Sequence, residues 1–287
     1  RRYTVDVHGH SLSVYSGTGS RRTIAHDVIV RKIADIMGFA GLPGVAVEDA
    51  NVFKCCIDST ARRRRYLQQL GSHTTGHGIR PDLSVARHPF ARSSVGPSQH
   101  QLYDVKTIGR TPTYHTPYRV QPADQRARAV PGEYRRSAIQ CDRTWNGTPP
   151  GTAGTFEAYL RSLPPVIGLG FGGYGEWSKE VDSLIGQLAE IASAVPERLG
   201  CCHGPAQAQG QYAQWARKHL HRESLREVSR CRHAALDRLL LRPTETYAGD
   251  PDHCRMMDDS PNDPGVANAW DSSDARGAYE DRPPRAT

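Results

Sequence analysis

The 287-residue sequence predicts an α/β or α+β fold, a small mixed β-sheet flanked by helices and followed by a helical extension. Three observations lead there. Apolar residues at Ile29, Ile33, Ile36 and Met37 recur at the helical repeat over 23–39, and Gly41 and Pro43 close that segment. Short apolar and β-branched runs at 44–49, 79–85, 102–108 and 166–174 read as strands. Behind the last of them, 178–195 places Val181, Leu184, Ile185, Leu188, Ile191 and Ala192 on one helix face, with Ser178 as N-cap. Helices interleaved with few strands pack on the faces of one sheet.

The remaining elements follow in order. Residues 3–15, with His8 and His10, read as a small hairpin or lead-in. The opening Arg1-Arg2 reads as a fragment or a processed form. A short helix is expected after Ser59 or Thr60, carrying the basic turn Arg62 to Arg65 as a solvated face, a phosphate-facing patch or an import signal. His73 and His77 lie in a glycine-containing loop. The stretch 110–122 reads as an extended loop in which Tyr114, His115 and Tyr118 neighbour Arg110 and Arg119, a mixture suited to stacking on and neutralising nucleic acid. A helix is expected over 123–130, restarted by Pro131 and continuing to Trp145, displaying Arg126, Arg128, Arg135, Arg136 and Arg143. Another short helix covers 156–163. From 206 to 241 the chain is helical, with Tyr212, Trp215, Leu220, Leu225, Val228, Leu236 and Leu239 as core and Arg222, Arg226 and Arg230 paired with Glu223 and Glu227 on a solvated face. The organisation is therefore a lead-in over 1–22, an α/β core over 23–195, a helical extension over 196–242 and an acidic tail over 243–287, whose composition predicts disorder.

Composition narrows the function classes. The net charge of +7 divides into a basic body and a tail from Glu245 that holds ten acids and four arginines. A basic body suits a polyanionic partner, because phosphate contacts dominate non-specific nucleic-acid affinity. Only five of the 37 basic residues are lysines, a skew that arginine-rich coding also produces. Apolar runs are too short for a membrane span and no secretory segment opens the chain, so an intracellular protein, cytoplasmic or nuclear, is expected. Seven cysteines, two adjacent pairs among them, do not form a disulfide framework and read as reduced thiols. Cys201, Cys202 and His203 would need ligands such as Cys231 and His233 to make a zinc site. The overlapping GxGxxG matches in 168–175 lie inside an apolar run instead of between strand and helix, which favours a core strand with close backbone approach over a dinucleotide loop.

One stretch carries chemistry. Side chains alternate along a strand, so Asp104 and Lys106 share a face, and pairing of the 79–85 and 102–108 runs would bring Asp82 to them. Pro81-Asp82 followed by Asp104-Val105-Lys106, after a leading helix and strand and before a helix and another core strand, resembles the PD-(D/E)xK nuclease superfamily. The likeness covers 23–195. It implies a restriction-endonuclease-like core that hydrolyses nucleic-acid phosphodiesters, DNA foremost, with Asp82 and Asp104 as ligands of Mg²⁺ or Mn²⁺ and Lys106 as the catalytic amine. A setting in a mobile element or a defence system goes with it. The leading helix often supplies an acid in this superfamily, yet 23–39 has no glutamate. Asp27, Glu48 or Gln125 would have to complete the site. Arg110, Arg119, Arg126, Arg135 and Arg136 are the expected nucleic-acid contacts. The alternative is a catalytically inactive nuclease-like domain that binds nucleic acid or a protein partner, and a nicotinamide- or flavin-dependent enzyme ranks third.

Overall fold

The structure is a computed structural model, described here for residues 19–71, 78–91, 99–108, 122–173, 175–195 and 204–241. The expected N-terminal hairpin, the His73–His77 loop, the loop bearing Arg110 and Arg119, Cys201 to His203 and the acidic tail lie outside the described residues. The described chain is mixed α/β, with a four-stranded sheet and six α-helices.

The strands are β1 (Val45–Val47), β2 (Leu83–Val85), β3 (Gln101–Thr107) and β4 (Ile167–Phe171). They lie in chain order, β1 to β2 and β2 to β3 antiparallel, β3 to β4 parallel. Parallel pairing of β3 and β4 requires a crossover, and helix α3 (Pro122–Cys141), a π-helical turn (Asp142–Asn146) and helix α4 (Thr155–Ser162) supply it. Before them come α1 (Gly19–Phe39) and α2 (Thr60–Gly71), and after them α5 (Lys179–Ser193) and α6 (Pro205–Leu241).

Strand alternation divides the core in two. Leu83, Val85, Tyr103, Val105, Leu169 and Phe171 pack with α1 and α5, a layer that α6 thickens through Tyr212, Ala216 and Leu220. The buried Tyr212 hydroxyl donates to the Ile36 carbonyl at 2.6 Å and ties α6 to the end of α1. Leu102 faces the other way, toward Val130, Tyr134 and Ala138 of α3, Tyr66 of α2 and Phe156 of α4. Asp104 and Lys106 follow Leu102 on that second face.

Several expectations change in detail. The 79–85 run is strand only from Leu83, because Pro81 has no N–H for the ladder. Pro131 does not restart a helix. It sits inside a continuous α3, where it cannot donate to the Ala127 carbonyl four residues back. That carbonyl is directed at β4, since a Cβ on Gly168 would fall 2.3 Å from it, and a Cβ on Gly170 would meet the Ala123 carbonyl at the same distance. Gly168 and Gly170, the first glycines of the two GxGxxG matches, are thus where α3 crosses β4 at backbone contact. Ser178 holds the N-cap position of α5 without capping it. Its hydroxyl accepts the Gly170 N–H (3.2 Å), and the Lys179 N–H is satisfied by buried Asp124 of α3 (2.8 Å). Leu225, expected in the core, is 40% exposed. Arg226 and Arg230 do pair with Glu223 and Glu227, but both acids are buried instead of solvated. Cys55, Cys56, Cys141 and Cys231 are free thiols. No described helix is long and apolar enough to cross a membrane.

Gly168→Ala is expected to lower stability by about 2–3 kcal/mol, since its Cβ meets rigid backbone. Gly186→Ala, in open space within α5, is expected to raise it by about 0.5–1 kcal/mol. Urea denaturation of both variants checks this, and equal effects would refute the close-crossing account.

Candidate active site

The site is built around the point where β2 and β3 part. Their register pairs Leu83 with Tyr103, so continuing it would set Pro81 opposite Val105. Pro81 has no N–H to give, and Val105 finds its partners in side chains instead. Its N–H donates to Asp82 Oδ2 at 2.6 Å, and its carbonyl lies 3.1 Å from Nε2 of His26 on α1. The same Nε2 is 3.2 Å from Asp82 Oδ2, and Nδ1 is 3.2 Å from Asp27 Oδ1. All these partners are acceptors. An imidazole satisfies them only when both ring nitrogens carry protons. Burial alone would lower the His26 pKa, but Asp82 and then Asp27 outweigh it and raise the value to about 9. His26 is therefore a fixed cation at neutral pH.

On the next pleat, Asp104 is almost buried beneath α3. Its Oδ1 accepts from the Tyr134 hydroxyl at 3.2 Å, and its Oδ2 lies 2.7 Å from Lys106 Nζ. Burial, and then repulsion from Asp82, push the Asp104 carboxyl upward, while Lys106 and Tyr134 pull it back. The two acids therefore feel one another across the strand junction. Lys106 is also 3.4 Å from Glu133 Oε2. Burial would weaken its charged form, but Asp104, Glu133 and Asp82 more than compensate, so its pKa rises and it stays an ammonium. Glu133 Oε1 in turn holds Arg126 Nη1 at 3.1 Å. Burial and the Asp104 charge raise the Tyr134 phenol well above its ordinary range, which keeps it a hydrogen-bond donor.

Asp104 and Lys106 thus meet on one strand face, as the strand reading expected, while Asp82 is tied to the N–H of the intervening Val105 and to His26. The other candidates are placed differently. Asp27 comes to the site only through His26. Glu48 has a left-handed backbone (φ 50°) and sends its carboxylate to Arg80 at 3.3 Å, while its N–H donates to the Asp82 carbonyl at 2.9 Å. Gln125 is exposed on α3. Arg126 is engaged by Glu133, Arg135 reaches Glu157 at 3.3 Å, and Arg136 is exposed.

Sequence reasoning missed His26, Glu133 and Tyr134. Glu133 had a signal: it is the one acid between Asp124 and Asp142, in a segment holding four arginines. His26 had none, because its role depends on a chain junction distant in sequence.

Among the described residues no group of three or more His, Cys, Asp and Glu is placed to hold a metal ion. Asp82 and Asp104 offer hard oxygen donors whose fields overlap, a donor set suited to Mg²⁺, which commonly takes one or two carboxylates and completes its shell with water and phosphate oxygens. Comparison with protein-family models, curated proteins and solved structures found no match.

His26 is raised by folding, so its contribution to stability is fully present below pH 6.5 and is lost as the pH rises through about 9. That contribution is on the order of 3 kcal/mol. An NMR titration should show His26 titrating near 9, and the wild-type advantage in melting temperature over His26→Gln should shrink from pH 6.5 to 9. An ordinary histidine titration would refute the imidazolium assignment.

Proposed function

We propose that this protein is a metal-dependent phosphodiesterase acting on nucleic acid, with DNA as the expected substrate, through a PD-(D/E)xK-type site in a restriction-endonuclease-like core. The observation that carries the reading is Lys106 Nζ lying 2.7 Å from Asp104 Oδ2 on one strand face, with Asp82 accepting the N–H of the intervening Val105 at 2.6 Å. The order around it, a leading helix and strand, a further helix, the β2–β3 hairpin, two helices, a strand and a helix, supports the same reading.

Asp82 and Asp104 would hold Mg²⁺ or Mn²⁺. Such an ion, when bound, activates water and offsets charge on the phosphate. The chain's own residues prepare the rest. Tyr134 and the Val105 N–H fix the two carboxylates by hydrogen bonds. Lys106 keeps a positive charge beside the point where phosphate oxygens gain negative charge, and a preorganised charge in a partly dry site costs no reorganisation during the reaction. Glu133, itself held by Arg126, keeps that ammonium on the Asp104 side. His26 Nε2, 3.2 Å from Asp82 Oδ2, helps to position that side chain.

A second reading has its own observation. The leading helix presents the His26 cation where the superfamily often presents an acid, and Lys106 is enclosed between Asp104 and Glu133. A catalytically inactive nuclease-like domain that binds nucleic acid or a protein would have this character.

Incubating the purified chain with plasmid and linear DNA, with Mg²⁺, with Mn²⁺ and with chelator, separates the two. The active reading expects metal-dependent cleavage that falls at least about a hundredfold in Asp104→Asn and in Lys106→Ala. Cleavage undiminished in both variants would remove this site from the reaction. DNA binding with no cleavage under any metal would select the inactive domain.

A further inference from the structure

We infer that the outer face of α3 is a track for the phosphate backbone of a nucleic-acid duplex, leading to the Asp82–Asp104–Lys106 junction; as a substrate path it rests on the nucleic-acid reading of that junction. The helix has two differently charged sides. Toward the sheet it sends Glu133 to Lys106 and the buried Asp124 to the start of α5. These are the only acids in its sequence, and both are turned inward. Away from the sheet it carries Arg128, Arg135 and Arg136, and Arg143 follows about two turns on in the π-helical segment. At 3.6 residues per turn, positions separated by seven, eight and fifteen residues return to one face, and all four side chains are exposed.

Arg135 shares Glu157 with Arg161, at 3.3 and 2.6 Å. For Arg128, Arg136 and Arg143 no carboxylate partner occurs among the described residues. Three of the four charges along this edge therefore have no carboxylate partner among the described residues. Between this edge and the site-facing Arg126 and Glu133 the helix carries the small residues Ala129 and Gly132 and the uncharged, exposed Gln125 and Gln140, so no acid stands on the way to Glu133.

The shape and chemistry of the face favour a duplex. From residue 128 to 143 the helix advances about 22 Å, the length of about six to seven base pairs. No aromatic side chain lies on this face between 125 and 143, where Tyr134 and its neighbours point into the core. Single strands are held largely by bases stacking on aromatics, whereas a row of guanidinium groups suits phosphates alone.

The test measures binding of the full chain to a duplex of about 30 base pairs in chelator, across a salt series, so that cleavage plays no part. Combined Arg128→Ala, Arg136→Ala and Arg143→Ala substitutions are expected to weaken binding at least tenfold near 0.1 M salt. They should also lower the slope of log affinity against log salt by about 2 to 3. The corresponding lysine substitutions should restore most of both. An equal charge loss elsewhere, by alanine at Arg31, Arg217 and Lys218, should leave the slope nearly unchanged. Unchanged binding by the alanine triple, or an equal loss in the control triple, would overturn the track. So would tighter binding to the matching single strand or to phosphatidylserine vesicles. An inactive junction would leave the binding result standing, so failure of the nuclease reading and failure of the track are separable.

Discussion

Val105 sets the constraint on which the rest of the site depends. β3 continues past the residues that β2 can pair, and a buried strand edge must place its N–H and carbonyl somewhere. Asp82 takes the one and His26 the other. Leaving either group unpaired in this partly buried setting would cost about 1–3 kcal/mol. The ladder's deficit thus accounts for an aspartate directly after Pro81 and for a histidine on the helix that packs over that face. Asp82 has a structural duty whatever its chemistry, and Asp104 gains a like-charged neighbour on the adjacent pleat.

From that arrangement the charges organise themselves. Asp27, Asp82, Asp104 and Glu133 are met by His26, Lys106 and Arg126 in two groups, Asp27–His26–Asp82 and Asp104–Lys106–Glu133–Arg126, with contacts of 2.7 to 3.4 Å. The cations stay protonated because carboxylates surround them, and no acid is stranded without a counter-charge. A nearly balanced cluster of this kind tolerates burial and retains a strong local field, which suits either an ion with a phosphate or a binding surface without turnover. The remaining arginines of α3 lie beyond the cluster, on its solvent side.

The same helix ties the chemistry to the fold. α3 brings Glu133 and Tyr134 to β3 only because it can lie against β4, and it can do so because Gly168 and Gly170 leave room for the Ala127 and Ala123 carbonyls. Asp124, one turn away, then holds the start of α5. Site geometry and sheet–helix packing are consequently one problem, and a change at the crossing would disturb both.

Much of the architecture was legible in local pattern. Ile29, Ile33, Ile36 and Met37 mark α1, the apolar stripe from Val181 to Ala192 marks α5, and the alternation around Asp104 and Lys106 correctly assigns them to one face, because helix and strand periodicities are properties of neighbouring residues. Pairing of the two site strands was legible as a possibility. The failures share a cause. Pro131 inside an unbroken helix, the redirected Ser178 hydroxyl and the buried Glu223 and Glu227 each depend on what packs opposite, which no local window contains. By itself the sequence determined the main elements, their order and the shared face of Asp104 and Lys106. Only the tertiary structure decided that Glu133 and Tyr134 contact that pair and that His26 binds Asp82, because backbone groups and charges brought together across the chain, up to 79 residues apart for His26 and Val105, must be satisfied by whatever lies beside them.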